Sequence, residues 1–150
     1  MRRTPIALAA AAAAAVFAAP AAADLSISTA TLSILSADNP DPARPQLVLR
    51  QGERYRFRVD YRVSGAAAIG TAHRFTVENA ATGVGVAAVS KSFEPEPAGG
   101  YNEYSAITVG SEWQPGVYRV SYTVTARNTR LPSVETSGAR VFLVVGPSPG

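Results

Sequence analysis

In residues 53–63 the chain reads E-R-Y-R-F-R-V-D-Y-R-V, and apolar and polar positions alternate without a break. Tyr55, Phe57, Val59, Tyr61 and Val63 fall on one side, and Arg54, Arg56, Arg58, Asp60 and Arg62 on the other. A period of two belongs to a β-strand with one face in a core and the other in water. Burying five such side chains contributes roughly 8–15 kcal/mol before chain entropy is subtracted, which predicts a strand in the middle of the fold. Residues 117–127 repeat the pattern, with Tyr118, Val120, Tyr122, Val124 and Ala126 on one side. The first apolar row is expected to pack across the domain against Tyr118, Val120, Tyr122 and Val124.

The rest of the chain supplies shorter strands and the turns between them. Residues 24–35 change phase, because Leu25 and Ile27 have one parity and Leu32 and Ile34 the other. That predicts a bulge, or a strand crossing between two sheets. Residues 36–46 hold Pro40, Pro42 and Pro45 among Asp38, Asn39 and Asp41, and read as a loop. Further strands are predicted at 47–49, 73–79, 84–93, 104–109 and 140–145. The loops expected between them include 94–100, with two prolines and two glycines, and the long polar stretch 128–138. No helical period occurs after residue 23. About seven or eight short strands in roughly 100–130 residues predict an all-β, antiparallel sandwich.

The segment W-Q-P-G-V-Y-R-V-S-Y-T-V-T-A, residues 113–126, followed by R-V-F-L-V-V, resembles the end of bacterial immunoglobulin-like or fibronectin-type-III-like domains. The earlier L-V-L-R-Q-G-E-R-Y-R-F is similar to the A′–B corner of immunoglobulin-like domains. The resemblance implies such a sandwich over residues 24–146, with a frayed tail at 147–150. It also implies that Tyr118 is a tyrosine corner whose hydroxyl bonds backbone in the preceding loop. The cysteine pair of antibody domains is absent, and Trp113 lies outside the strand where those domains keep their core tryptophan.

The first residues change the electrostatic picture. Arg2 and Arg3 precede an apolar, mostly alanine run over 6–19, then Pro20 and an A-x-A site before Asp24. This is the layout of a secretory signal peptide over residues 1–23, and it predicts a secreted, periplasmic or cell-surface protein. Without Arg2 and Arg3 the 14 basic residues fall to 12, against 11 acidic ones. A nearly neutral domain argues against a general nucleic-acid binder. No later run approaches transmembrane length. The absence of cysteine rules out disulfides and thiolate chemistry, so an exported domain must rely on its core.

Candidate chemistry is sparse, and the chain reads as a non-enzyme with no cofactor or metal. His73 is the single histidine, and it shares parity with Phe75 and Val77, so it reads as a structural residue. Asp38, Asn39 and Asp41 offer oxygens for Ca²⁺, but the prolines between them favour turn chemistry. Glu94, Glu96 and Glu103 suit a solvated loop better than a glycosidase pair. Tyr101, Tyr104 and Trp113 flank neighbouring loops and are the candidate ligand-binding aromatics, set against the simpler reading that they cap the core. Arg54, Arg56, Arg58 and Arg62 project about every 7 Å along one face, either facing a polyanion or forming a solvated outer surface. These features predict an exported, non-catalytic binding module whose protein or polysaccharide partner is unidentified. The alternatives are a carbohydrate-binding module using the aromatics, or a protease inhibitor presenting Arg130 on the 128–138 loop.

Overall fold

A computed structural model describes residues 25–65 and 69–149, with backbone alone at 29, 69, 93, 94 and 96. The signal peptide expected at 1–23 and the side chains of Glu94 and Glu96 therefore lie outside the described residues.

Eight strands occur among the described residues: β1 (Ser26–Ser36), β2 (Val48–Arg50), β3 (Arg54–Ser64), β4 (Ile69–Asn79), β5 (Gly85–Glu96), β6 (Gly99–Thr108), β7 (Gly116–Arg127) and β8 (Val134–Val145). They form a three-stranded sheet in the order β1-β3-β6 and a five-stranded sheet in the order β2-β8-β7-β4-β5. The two alternating rows do what their period demands. Tyr55 to Val63 on β3 and Tyr118 to Ala126 on β7 turn inward and join one core cluster shared by the two sheets. Phe57 and Phe142 meet across it with ring centroids 6.0 Å apart. β3 is the middle strand of its sheet, with neighbours on both sides.

The phase change in β1 is a register shift between Ser28 and Thr31. It lets Leu25 on one side of the shift and Leu32 and Ile34 on the other all reach the core. The hydroxyl of Tyr122 donates to the Ala30 carbonyl within that irregularity, 2.9 Å away, and so ties the two sheets together there.

Three expectations need correction. β2 runs parallel to β8, pairing Val48 with Leu143, so the larger sheet is mixed rather than antiparallel. The expected 94–100 loop shrinks to Pro97 and Ala98, because β5 continues to Glu96 opposite Ile69 and β6 starts at Gly99 opposite Val63. β5 is the sheet edge, where the missing N–H of Pro95 need not break a ladder. The expected 128–138 loop covers only 128–133, since β8 begins at Val134 and pairs Gly138 with Tyr122. Its polar residues alternate because that stretch of hairpin has solvent on its outer side.

Candidate functional site

The outward residues of β3 meet those of its neighbours in register. Arg56 lies between Leu35 and Ala106, Arg58 between Ser33 and Tyr104, and Asp60 between Thr31 and Asn102. All point to the face away from the core, as the period of two requires.

Leu35 has outward parity yet is 2% exposed. Its cover comes from the proline-rich loop, which is anchored at both ends by backbone bonds from Ala37 to the Arg54 carbonyl and from Gln46 to the Ile34 carbonyl. Asp41 makes the turn chemistry explicit, its carboxylate accepting from the Ala43 N–H at 2.9 Å and pairing with Arg44 at 3.7 Å. The folded-back loop converts a flat sheet face into a depression of about 110 Å³, lined by Leu35, Pro40, Arg56, Arg58, Asn102 and Tyr104.

Tyr104 stands at its lip with 47% exposure. The Arg56 guanidinium carbon is 4.9 Å from the ring centroid, and the ammonium of Lys91, the chain's single lysine, is 5.8 Å from it. Both distances are in the range where a cation is drawn to the ring's negative face. Lys91 reaches across from the edge of the other sheet, bonding the Glu103 carboxylate at 3.0 Å and the Tyr104 carbonyl at 3.1 Å. Arg58 is engaged differently. It donates to Asp60 through Nη2 at 2.8 Å and Nε at 3.1 Å, so its charge is locally balanced. Arg56 makes no ion pair among the described residues, and neither do Arg54 and Arg62, which are exposed further along β3. The face carries a surplus of positive charge, an aromatic ring and an amide. Such groups can hold an anion and stack on a flat ring.

The three candidate aromatics do not form one site. Tyr101 and Tyr104 have opposite parity in β6, so their rings leave opposite faces. Tyr101 turns inward and stacks on Tyr61, centroids 5.9 Å apart, with its hydroxyl bonded to the Pro97 carbonyl. Trp113 corrects the sugar-stacking expectation outright, being 1% exposed. Its turn folds back so that the indole closes the end of the core, stacked on Tyr118 at 5.6 Å, and its carbonyl accepts from Gln51 at 2.8 Å. An indole has more apolar area to hide than any other side chain, and the end of a two-sheet core is where it fits. The Tyr118 hydroxyl donates to the Gln114 carbonyl in the preceding loop, 2.7 Å away.

His73 is buried on the inner face of β4, with Nε2 3.2 Å from the Tyr61 hydroxyl. Among the described residues no group of three His, Cys, Asp or Glu is placed to hold a metal. In the 128–133 loop Arg130 is exposed and its N–H donates to Asn128 Oδ1, while Leu131 packs against the core. Leu35, Pro40, Lys91 and Asn102 escaped the sequence reading. Asn102 alone had a local signal, its parity with Tyr104.

No protein-family model and no curated protein matches the chain. Among solved structures, the C-terminal domain of Wzt is similar at 12% identity and a TM-score of 0.56, with 79% of this chain and 73% of that chain covered. A CARDB domain from Pyrococcus furiosus, solved in complex with di-metal ions, is 14% identical over 79% of this chain and 96% of that one, with a TM-score of 0.44. The ApaA protein from Bordetella pertussis is 11% identical over 81% and 94%, also with a TM-score of 0.44. The likeness to the Wzt domain is one of fold, and the chemistry of the face around Tyr104 is this chain's own.

Proposed function

We propose that the chain is an exported, non-catalytic, immunoglobulin-like binding module that takes an acidic sugar chain on the outer face of its three-stranded sheet. The observation that carries the reading is the exposed ring of Tyr104 beside an Arg56 guanidinium without a carboxylate partner among the described residues. A sugar ring stacks its C–H face on an aromatic ring, and a uronate or sulfate on that sugar would find the arginine. Asn102, lining the same depression, offers a donor and an acceptor for hydroxyls. Arg54 and Arg62 lie further along β3, so a polymer crossing the depression would meet more than one cation. An open face of this kind suits a chain better than a small molecule, which needs a deeper pocket. Export is supported by the layout of residues 1–23.

Affinity electrophoresis through gels containing polygalacturonate, or neutral galactan as control, tests the reading. Retardation by the acidic polymer alone is expected, weakening as salt screens the face and lost in Tyr104→Ala and in Arg56→Ala. Equal mobility in both gels, or retardation that survives the two substitutions combined, overturns it.

A further inference from the structure

Resting on the function proposed above, we infer that the acidic polymer taken by this face is a sparsely charged one, in which several neutral sugars separate the groups that carry charge. The depression at Tyr104 does not end at Asn102. A second hollow of about 360 Å³, lined in part by Asp60, Arg62, Gly100 and Asn102, continues from it along the same two strands, and Asn102 lines both. Gly100 opens the second hollow, because the outer face of β6 carries no side chain where it pairs with Arg62. A Cβ at Gly100 would have Arg62 Nη1 as its nearest neighbour, 3.8 Å away, so the guanidinium borders an open floor.

Charge along this track is uneven. Arg56 at one end and Arg62 at the other make no ion pair among the described residues, and extended backbone sets their Cα atoms roughly 20 Å apart. Between them Arg58 and Asp60 neutralise each other at 2.8 Å, and the Asp60 side chain keeps 39% exposure, open to a ligand. Asp60 is the only carboxylate among the outward residues of β1, β3 and β6, and it stands beside Asn102 in register. An ionised carboxylate only accepts hydrogen bonds, whereas an amide both donates and accepts. Sugar hydroxyls satisfy that pair, since each has a proton to give to Asp60. A ligand carboxylate in the same place has no proton to give, gains no free cation and meets a like charge. The face therefore favours acidic groups at its two ends and neutral sugars across its middle.

Affinity electrophoresis through polygalacturonate in which rising fractions of the carboxylates are methyl esters tests the inference on one unchanged backbone. Retardation should pass through a maximum at partial esterification, at least about threefold stronger than in the fully ionised polymer, and vanish when every carboxylate is esterified. Asp60→Asn should move the maximum to the fully ionised polymer. Gly100→Val fills the second hollow without touching a charge, and Gly100 is exposed on an edge strand, so the fold should be kept. That variant and Arg62→Ala should each weaken retardation by the partly esterified polymer. Retardation that rises steadily with ionisation overturns the inference and leaves the function proposed above standing. So does a maximum that Asp60→Asn leaves in place, or one that survives both Gly100→Val and Arg62→Ala. No retardation at any degree of esterification overturns both.

Discussion

The phenol of Tyr122 lies over Gly138, its partner across the β7–β8 ladder, so closely that a Cβ on Gly138 would sit 2.5 Å from the hydroxyl oxygen and 2.7 Å from Cζ. The ring cannot swing clear at low cost, because its hydroxyl is held by the Ala30 carbonyl on the opposite sheet. A cross-strand aromatic covering a glycine is one of the devices that pin strand register. Gly138→Ala is therefore expected to destabilise the fold by roughly 1–3 kcal/mol, read as a lower denaturation midpoint in urea. In a Tyr122→Phe background the same substitution should cost less, since the ring is then free to shift, and equal costs in both backgrounds would dissociate the two residues.

Trp113 reports on the core and not on ligand. Stacked on Tyr118 and 1% exposed, it should emit in the blue, resist quenching by acrylamide, and keep its spectrum when an acidic polysaccharide is added. Trp113→Ala should cost about 3–5 kcal/mol. Ready quenching in the folded protein would contradict the placement.

Alkaline pH should destabilise this domain in a way traceable to buried phenols, Tyr55 first among them. The Tyr55 hydroxyl donates to Glu53 and accepts from the Arg50 N–H, each at 2.8 Å. Burial pushes its pKa up from 10.0 to about 12; the Arg50 N–H opposes the shift and the Glu53 carboxylate adds to it. Between those values the folded chain keeps a proton that the unfolded chain has lost. Stability is then full below the unfolded value and falls as pH rises towards the folded one. Tyr122, also raised by burial, acts in the same direction, with Arg140 opposing. Urea midpoints measured from neutral pH upward should decline above about pH 10, and the decline should be shallower in Tyr55→Phe.

Asp60 restrains the proposed polymer site by occupying Arg58. Asp60→Asn releases that guanidinium while costing the fold only about 0–1 kcal/mol, as exposed pairs do. Retardation by polygalacturonate should increase in this variant. A decrease would place Arg58 outside the binding surface.

Much of the architecture was legible in the chain. The inner rows of β3 and β7 follow from strict alternation and the irregularity in β1 from its change of parity, while the bond from Tyr118 to the preceding loop is what the resemblance to immunoglobulin-like domains implies. The ends of β5 and β8 were not. Proline and glycine favour loops locally, but an edge position tolerates Pro95 and Gly138 makes room for the Tyr122 ring. Of the site, the arginine row and Tyr104 were visible. Its wall was not, since nothing local says that the proline-rich loop folds back over Leu35.

By itself, then, the sequence determined which side chains face inward, because alternation is a property of neighbouring residues and needs no knowledge of partners. It determined too that residues 141–145 are apolar without alternation. Only the tertiary structure decided what lies across each face. It buried Trp113, drew Lys91 from one sheet to the Tyr104 of the other, separated Tyr101 from Tyr104, and left the Val48–Leu143–Val117 row bare. Each of these depends on contacts between residues far apart in the chain, where loop path and strand order, rather than local period, set which groups meet.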